Sequence, residues 1–320
     1  MVMGKILHIE ELTEVFRLLS DETRLRILSA LREAELAVGE LQKILGLGQS
    51  TLSTQLGLLK EQDLVASRKE GQKVLYRIPR NGHVDAKLDI VENALQSAPA
   101  AKWYARDIRA LKKALEERSE RSREFFNSQA VQNMPSPGQT WSALCHGLIR
   151  LIRGQRILDL GCGNGRLAIM LAQSGNAVIG IDNSEEQIRL ARASIASASF
   201  APGGSLEFRH APMEATGLGD AGFDSVILSQ SLHHAAKPKE ALAESRRLLA
   251  PNGRILILDL LAHGEEWMRT KFGDFWLGFS QADLESWLKE SGFTGLHTEI
   301  TGPGKDYPEI EGLMVQAVKK

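Results

Sequence analysis

Three glycines at alternate positions, Gly161, Gly163 and Gly165, follow the short run Arg156-Ile157-Leu158-Asp159-Leu160, and a helical pattern begins at once with Leu167, Ala168, Ile169 and Met170. Strand, tight turn and helix in that order aim backbone N–H groups and a helix N-terminus at a ligand. Glycine is needed because a Cβ would block close approach of the ligand to the backbone. The spacing excludes one ligand class. A dinucleotide fingerprint, G-x-G-x-x-G, needs glycine where Arg166 stands. Asp159 would also repel a pyrophosphate, whereas it suits a ligand with a cationic centre. A second carboxylate, Asp182, ends the run Ala177-Val178-Ile179-Gly180-Ile181, where it can accept hydrogen bonds from both hydroxyls of a ribose. A third group, His233 and His234, follows the apolar run Phe223 to Ser229. Imidazole suits removal of a proton from an acceptor near neutral pH.

The order D-x-G-x-G-x-G resembles motif I of the class I S-adenosylmethionine (SAM) methyltransferases. A carboxylate at such a turn fits a ligand that carries an ammonium and a sulfonium. The phrase Leu249-Ala250-Pro251-Asn252-Gly253-Arg254-Ile255 is a further mark of that class. The resemblance implies that Asp159, Gly161, Cys162, Gly163, Asn164 and Gly165 wrap the cofactor, with Asp182 and Asn183 on the ribose. In many members an Asp contacts the adenine amino group. Pro212 occupies that place here, which leaves Met213 and Glu214 for the adenine side; Ser229, at the end of its strand, is a further cofactor-binding candidate. His233 and His234 are the catalytic candidates. The product would be S-adenosylhomocysteine.

The elements that must position these groups alternate as strand and helix, which signals a doubly wound α/β sheet. The class implies a Rossmann-like, mostly parallel sheet with an antiparallel last strand, paired as a hairpin with its predecessor. The expected strands are Leu206 to Arg209, Phe223 to Ser229, Arg254 to Leu260, Thr294 to Thr301 and Gly312 to Val318; a helix spans Glu240 to Leu249. Ser184-Glu185-Glu186-Gln187 reads as a capping box, and Ser280 caps a helix stopped by Gly292. His263, Trp267, Phe275, Trp276 and Phe279 are candidates for an acceptor pocket or lid. Core packing is the competing reading of these aromatics.

The first 80 residues have a different pattern. Apolar stripes at helical spacing run through Ile9 to Leu19 and Leu25 to Leu31, a short helix from Val38 to Leu45 ends at Gly46, and another spans about Ser50 to Gln62. Gln49, Ser50, Thr51, Ser53, Thr54, Gln55 and Lys60 give its outer face short hydrogen-bonding side chains, as a helix in the DNA major groove requires. Leu64 to Ile78 reads as two strands around Gly71. Arg68, Lys69 and Lys73 there suit phosphate contacts. This block resembles the ArsR/SmtB winged-helix regulators through Leu19-Ser20-Asp21-Glu22-Thr23-Arg24-Leu25-Arg26-Ile27-Leu28, Gln49 to Leu56, and Tyr76-Arg77-Ile78. The resemblance implies double-stranded operator DNA as a partner and a homodimer. The cysteines of metal-sensing members are absent, because Ala37-Val38-Gly39-Glu40 stands in their place.

The expected organisation is a winged-helix domain at 1–80, a helical connector at 81–138 and a methyltransferase domain at 139–320. Asn81-Gly82-His83 breaks the wing, Val84 to Gln96 reads as helical, and a hinge falls at Met134-Pro135-Ser136-Pro137-Gly138. A further helix spans Trp141 to Ile152. In the long charged helix from Ala101 to Asn127, Tyr104, Ile108, Leu111 and Leu115 form a narrow apolar seam. It suits either a partner helix or packing within the chain.

Charge excludes a global polycation: the 320 residues hold 39 basic and 40 acidic side chains. Any nucleic-acid contact must therefore come from a local patch. Two cysteines, Cys145 and Cys162, build neither a disulfide framework nor a thiolate metal cluster. No metal ligand set is evident. There is no apolar run long enough for a membrane span, and Met1 to Lys5 does not resemble a signal peptide. The expectation is a soluble cytoplasmic protein with no membrane partner. It methylates a small-molecule acceptor and binds operator DNA. The alternatives are a non-catalytic regulator that senses SAM or S-adenosylhomocysteine, and an enzyme whose winged helix serves only dimerisation.

Overall fold

The computed structural model describes residues 8–79, 86–127, 154–195, 198–302, 307 and 310–320. The readings at 81–83 and 134–138, the helix at 141–152 and Cys145 lie outside the described residues. The chain divides into two compact units, Met1–Glu117 and Arg118–Lys320.

In the first unit, α1 (Ile9–Leu19), α2 (Glu22–Glu33), α3 (Val38–Leu45) and α4 (Gln49–Glu61) pack around Val15, Ile27, Leu28, Leu41, Leu52, Leu56 and Leu59. Asp21 starts α2 by accepting a hydrogen bond from the Arg24 amide. Gly46 ends α3 in the left-handed conformation that glycine adopts without strain. β1 (Leu36–Ala37), β2 (Ala66–Glu70) and β3 (Lys73–Arg77) form an antiparallel sheet in the order β1-β3-β2, which is the wing. α5 (Ala86–Gln96) and the first part of α6 (Tyr104–Asn127) belong to the same core, because Val91, Leu95, Leu111 and Leu115 are buried in it. Of the two readings of the seam, Leu111 and Leu115 thus follow the packing within the chain. For the same reason the compact unit extends past the domain end expected at residue 80. A buried ion pair adds to it: Asp107 of α6 accepts hydrogen bonds from Arg26 Nε at 2.6 Å and from its Nη2 at 3.1 Å.

The second unit is a seven-stranded sheet. Its strands are β4 (Arg156–Leu160), β5 (Ala177–Asp182), β6 (Ser205–His210), β7 (Phe223–Ser229), β8 (Leu249–Leu260), β9 (Phe293–Thr301) and β10 (Gly312–Lys319). The order is β6-β5-β4-β7-β8-β10-β9. The first five are parallel, and β10 runs antiparallel between β8 and β9. The helices are α7 (Arg166–Gln173), α8 (Glu185–Ile195), α9 (Pro238–Leu248), α10 (Trp267–Lys271) and α11 (Gln281–Glu290). Strand β8 starts earlier than expected. Its pairing with β7 jumps from Phe223↔Leu249 to Ser225↔Arg254, so Ala250 to Gly253 bulge out of the ladder.

Strand order reverses at β4: the chain adds β5 and β6 on one side of it, then crosses back and adds β7 and β8 on the other. Ligands of open α/β sheets bind at the carboxyl ends of the strands at such a point. Gly161 follows β4 directly, Asp182 ends β5, and His233 and His234 lie just beyond β7 in a 3₁₀ turn, Leu232–His234.

Candidate functional site

The glycine turn is tied to the end of β5. The amides of Gly161 and Cys162 both donate to the Ile181 carbonyl, at 2.8 and 2.9 Å. The Gly163 amide donates to Asp182 Oδ2 at 2.8 Å, and the Ser184 amide to Asp182 Oδ1 at 2.9 Å. All three glycines have positive φ: 75°, 52° and 79°. Space is restricted at two of them. A Cβ on Gly161 would lie 2.3 Å from Ser231 Cβ, and one on Gly165 would lie 2.3 Å from the Phe208 ring. Gly165 then caps α7, so that helix starts at the turn.

Asp159 is 2 % exposed, and its Oδ2 has no hydrogen-bond partner among the described residues. Burial and the charge of Asp182 push its pKa up to about 7. Burial also raises Asp182, against the backbone hydrogen bonds that favour its anion. Two carboxylates at a buried turn, one with an unpartnered oxygen, fit a ligand that brings a positive charge and hydroxyl donors.

The remaining cofactor candidates surround this turn in different ways. Cys162 is buried, and burial pushes its thiol pKa up, so it is a packing residue and not a nucleophile. Asn164 is exposed, and the Asn183 carbonyl is hydrogen-bonded to His210 Nε2 at 3.0 Å. The Met213 methyl lies on the Gly161 side of the turn. Glu214 accepts a hydrogen bond from the Lys237 amide, which opens α9. Ser229 is half-buried at the end of β7.

The two histidines sit in different environments. His233 is 4 % exposed. Its Nδ1 lies 2.7 Å from Asp259 Oδ1, and Asp259 Oδ2 also accepts from the Leu232 and His233 amides. The Trp276 amide donates to the His233 carbonyl. Burial opposes the imidazolium form of His233, but Asp259 and Asp274 outweigh it and raise the pKa. His234 is half-buried, with its ring edge-to-face on Phe126 at 4.6 Å. Burial and the neighbouring His233 drive its pKa well below the usual histidine value. Asp259, Asp274 and Phe126 were not legible as site residues. One signal was available: Asp259 interrupts the apolar run Ile255-Leu256-Ile257-Leu258 at a strand end.

The expected aromatic pocket is only partly a surface. Trp276 and Phe279 are 3 % and 1 % exposed, and Trp276 Nε1 donates to the Ala235 carbonyl. They belong to the core because the segment is held against β8 through Phe279 and Leu260. His263, Trp267 and Phe275 are half-buried. Trp267 clusters with Phe272 and Tyr307 under Lys271, and Phe275 lies beneath the buried Arg118 guanidinium at 4.8 Å.

On the winged helix, Gln49, Ser50, Thr51, Ser53, Thr54 and Lys60 are exposed along α4, and Lys69 and Lys73 on the wing. Two candidates are held inside the unit. Gln55 accepts from Arg24, and Arg68 pairs with Glu35 and Glu70, at 3.0 Å each. The charge of Arg68 is thereby balanced by two carboxylates.

Residues 158–257 match the family model for a methyltransferase domain, and residues 21–67 that for the bacterial regulatory protein, arsR family. Demethylmenaquinone methyltransferase of Clavibacter sepedonicus is 33% identical over 121 residues, covering 38% of this chain and 47% of that protein. The ubiquinone/menaquinone biosynthesis C-methyltransferase UbiE of Geobacter sulfurreducens is 31% identical over 155 residues, covering 45% of this chain and 60% of that one. Magnesium protoporphyrin IX methyltransferase of Synechocystis PCC 6803 aligns with 62% of this chain at 21% identity and a TM-score of 0.49. The chain thus spans about half the length of the curated relatives it matches.

A segment that matches the arsR-family regulatory model therefore precedes one that matches a methyltransferase domain in this chain. The unpartnered oxygen of buried Asp159 beside the glycine turn fits a cationic group of a ligand. No described helix is long and apolar enough to cross a membrane.

Proposed function

We propose that the chain transfers a methyl group from SAM to a small molecule and binds operator DNA through its winged helix. One observation carries the first half: Asp159 and Asp182 flank a turn of three positive-φ glycines at the switch point of the sheet. Asp159 would take the ammonium, and Asp182 the ribose hydroxyls through its remaining lone pairs. SAM supplies an electrophilic methyl on a sulfonium. The protein's part is orientation and exclusion of water. His234, edge-to-face on Phe126, would face the acceptor, and His233 would anchor that turn through its contact with Asp259. The names of the relatives make ring carbons and hydroxyls of quinol-like compounds the first acceptors to try. Incubation of the purified chain with methyl-labelled SAM and such acceptors, or cell extract, should give labelled product. No label in any fraction would refute turnover.

The DNA half rests on the exposed polar face of α4 and on Lys69 and Lys73. A homodimer would pair two such helices on a two-fold operator. A second reading is favoured by the burial of His233 between carboxylates: the domain only senses SAM or S-adenosylhomocysteine, and operator affinity changes with ligand in the absence of turnover.

A further inference from the structure

We propose that His233, His234 and Asp274 form a binding site for a divalent transition-metal ion, of zinc type in its ligand preference. The potential ligand atoms of these three residues all lie within 4.8 Å of one another. His233 Nε2 is 3.6 Å from Asp274 Oδ1. Donors bound to a tetrahedral ion at ~2.0–2.1 Å stand roughly 3.3 Å apart, so the pair at 3.6 Å is close to that spacing and the widest pair would close by at most about 1.5 Å. Two imidazoles and one carboxylate are a donor set for zinc or iron, and three protein ligands are the pattern of sites that keep a position for water or substrate.

The arrangement around the donors supports this further. A metal-bound histidine usually donates its other ring N–H to a carboxylate or a backbone carbonyl. His233 Nδ1 is engaged by Asp259, which directs Nε2 toward Asp274. His234 Nδ1 has no partner among the described residues. Asp274 is 3 % exposed, and its Oδ2 is likewise unpartnered among them. An ion pair between His233 and Asp274 explains less. At 3.6 Å it is too long for a hydrogen bond, and it leaves His234 Nδ1 and Asp274 Oδ2 unsatisfied. The ligands come from the turn after β7 and the segment after α10, so no local sequence spacing announces them. The proposal uses none of the glycine-turn geometry and stands whether or not the domain turns over.

The test is titration of the chelator-stripped full chain with Co²⁺, read by visible d–d absorption, and then competition with Zn²⁺. Saturation at one ion per chain is expected, with zinc displacing cobalt. His234→Gln and Asp274→Asn should each weaken binding by more than about 100-fold, and Asp259→Asn by about 10–100-fold. Circular dichroism checks folding. Should Asp274→Asn fail to fold, the half-buried His234→Gln decides alone. Absence of the bands in the unmodified chain, or unchanged binding by folded His234→Gln, would overturn the proposal.

Discussion

Asp182 holds the glycine turn of its own site: its Oδ2 accepts the Gly163 amide at 2.8 Å while its Oδ1 accepts the Ser184 amide. A side chain expected to serve only the ribose therefore also builds the loop. Asp182→Ala should lose SAM binding by more than about 100-fold, and Asp182→Asn should keep part of the loop geometry, because its amide oxygen still accepts one N–H. Equilibrium dialysis with labelled SAM separates the two; equal losses would mean that the loop contact is irrelevant.

Asp159 gives a pH signature. Its folded pKa of about 7 lies above the ordinary carboxylate value. Its protonated form is thus favoured by folding, a contribution fully present below about pH 4 and lost as pH rises through about 7. Asp159→Asn should stabilise the free protein at pH 8 by up to about 4 kcal/mol, with the gain vanishing near pH 4. The same variant should bind SAM worse, since it cannot offer an anion to the ammonium. Urea unfolding at the two pH values checks the first part. A constant difference between the proteins would contradict it.

Gly165 combines a φ of 79° with the Phe208 ring, 2.3 Å from where a Cβ would stand. Gly165→Ala should cost about 2–4 kcal/mol. Phe208→Leu in the same chain should recover the part due to the collision and leave the part due to backbone strain. Thermal unfolding of the single and double variants measures both.

In the winged-helix unit, Asp107→Ala leaves the Arg26 guanidinium buried without its carboxylate. The expected cost is about 3–5 kcal/mol, read as loss of the unit's unfolding transition. Leu111→Ala should cost about 2–4 kcal/mol by leaving a cavity in the same core. A Leu111→Ala protein of unchanged stability would mean that the seam serves another chain.

On DNA, Lys69→Ala should weaken binding to all duplexes alike and lower the salt slope by about one per protomer, while Thr51→Ala should change which sequence is preferred. Arg68→Ala should act through stability, because Glu35 and Glu70 already hold it. Fluorescence anisotropy across a salt series distinguishes these outcomes.

The strands and the glycine turn were legible because each is local: apolar runs of strand length, glycines at alternate positions, an acid at a strand end. The antiparallel last strand paired with its predecessor came only through the class resemblance, and its place between β8 and β9 was not legible. What the sequence hid was long-range. Nothing near His233 announces Asp259 or Asp274, which reach it from later segments. Trp276 and Phe279 read as possible pocket residues because burial depends on the segment folding back on β8. Tyr104, Ile108, Leu111 and Leu115 announced an apolar stripe without naming what covers it; the chain's own core takes Leu111 and Leu115, with Ile108 packed against it.

Isothermal titration of SAM and of S-adenosylhomocysteine into the full chain and into Asp182→Ala tests the central claim most directly. The account predicts one site per chain for both ligands in the unmodified protein, and none in the variant. Heat-silent titrations, or equal affinities in the two proteins, would contradict it.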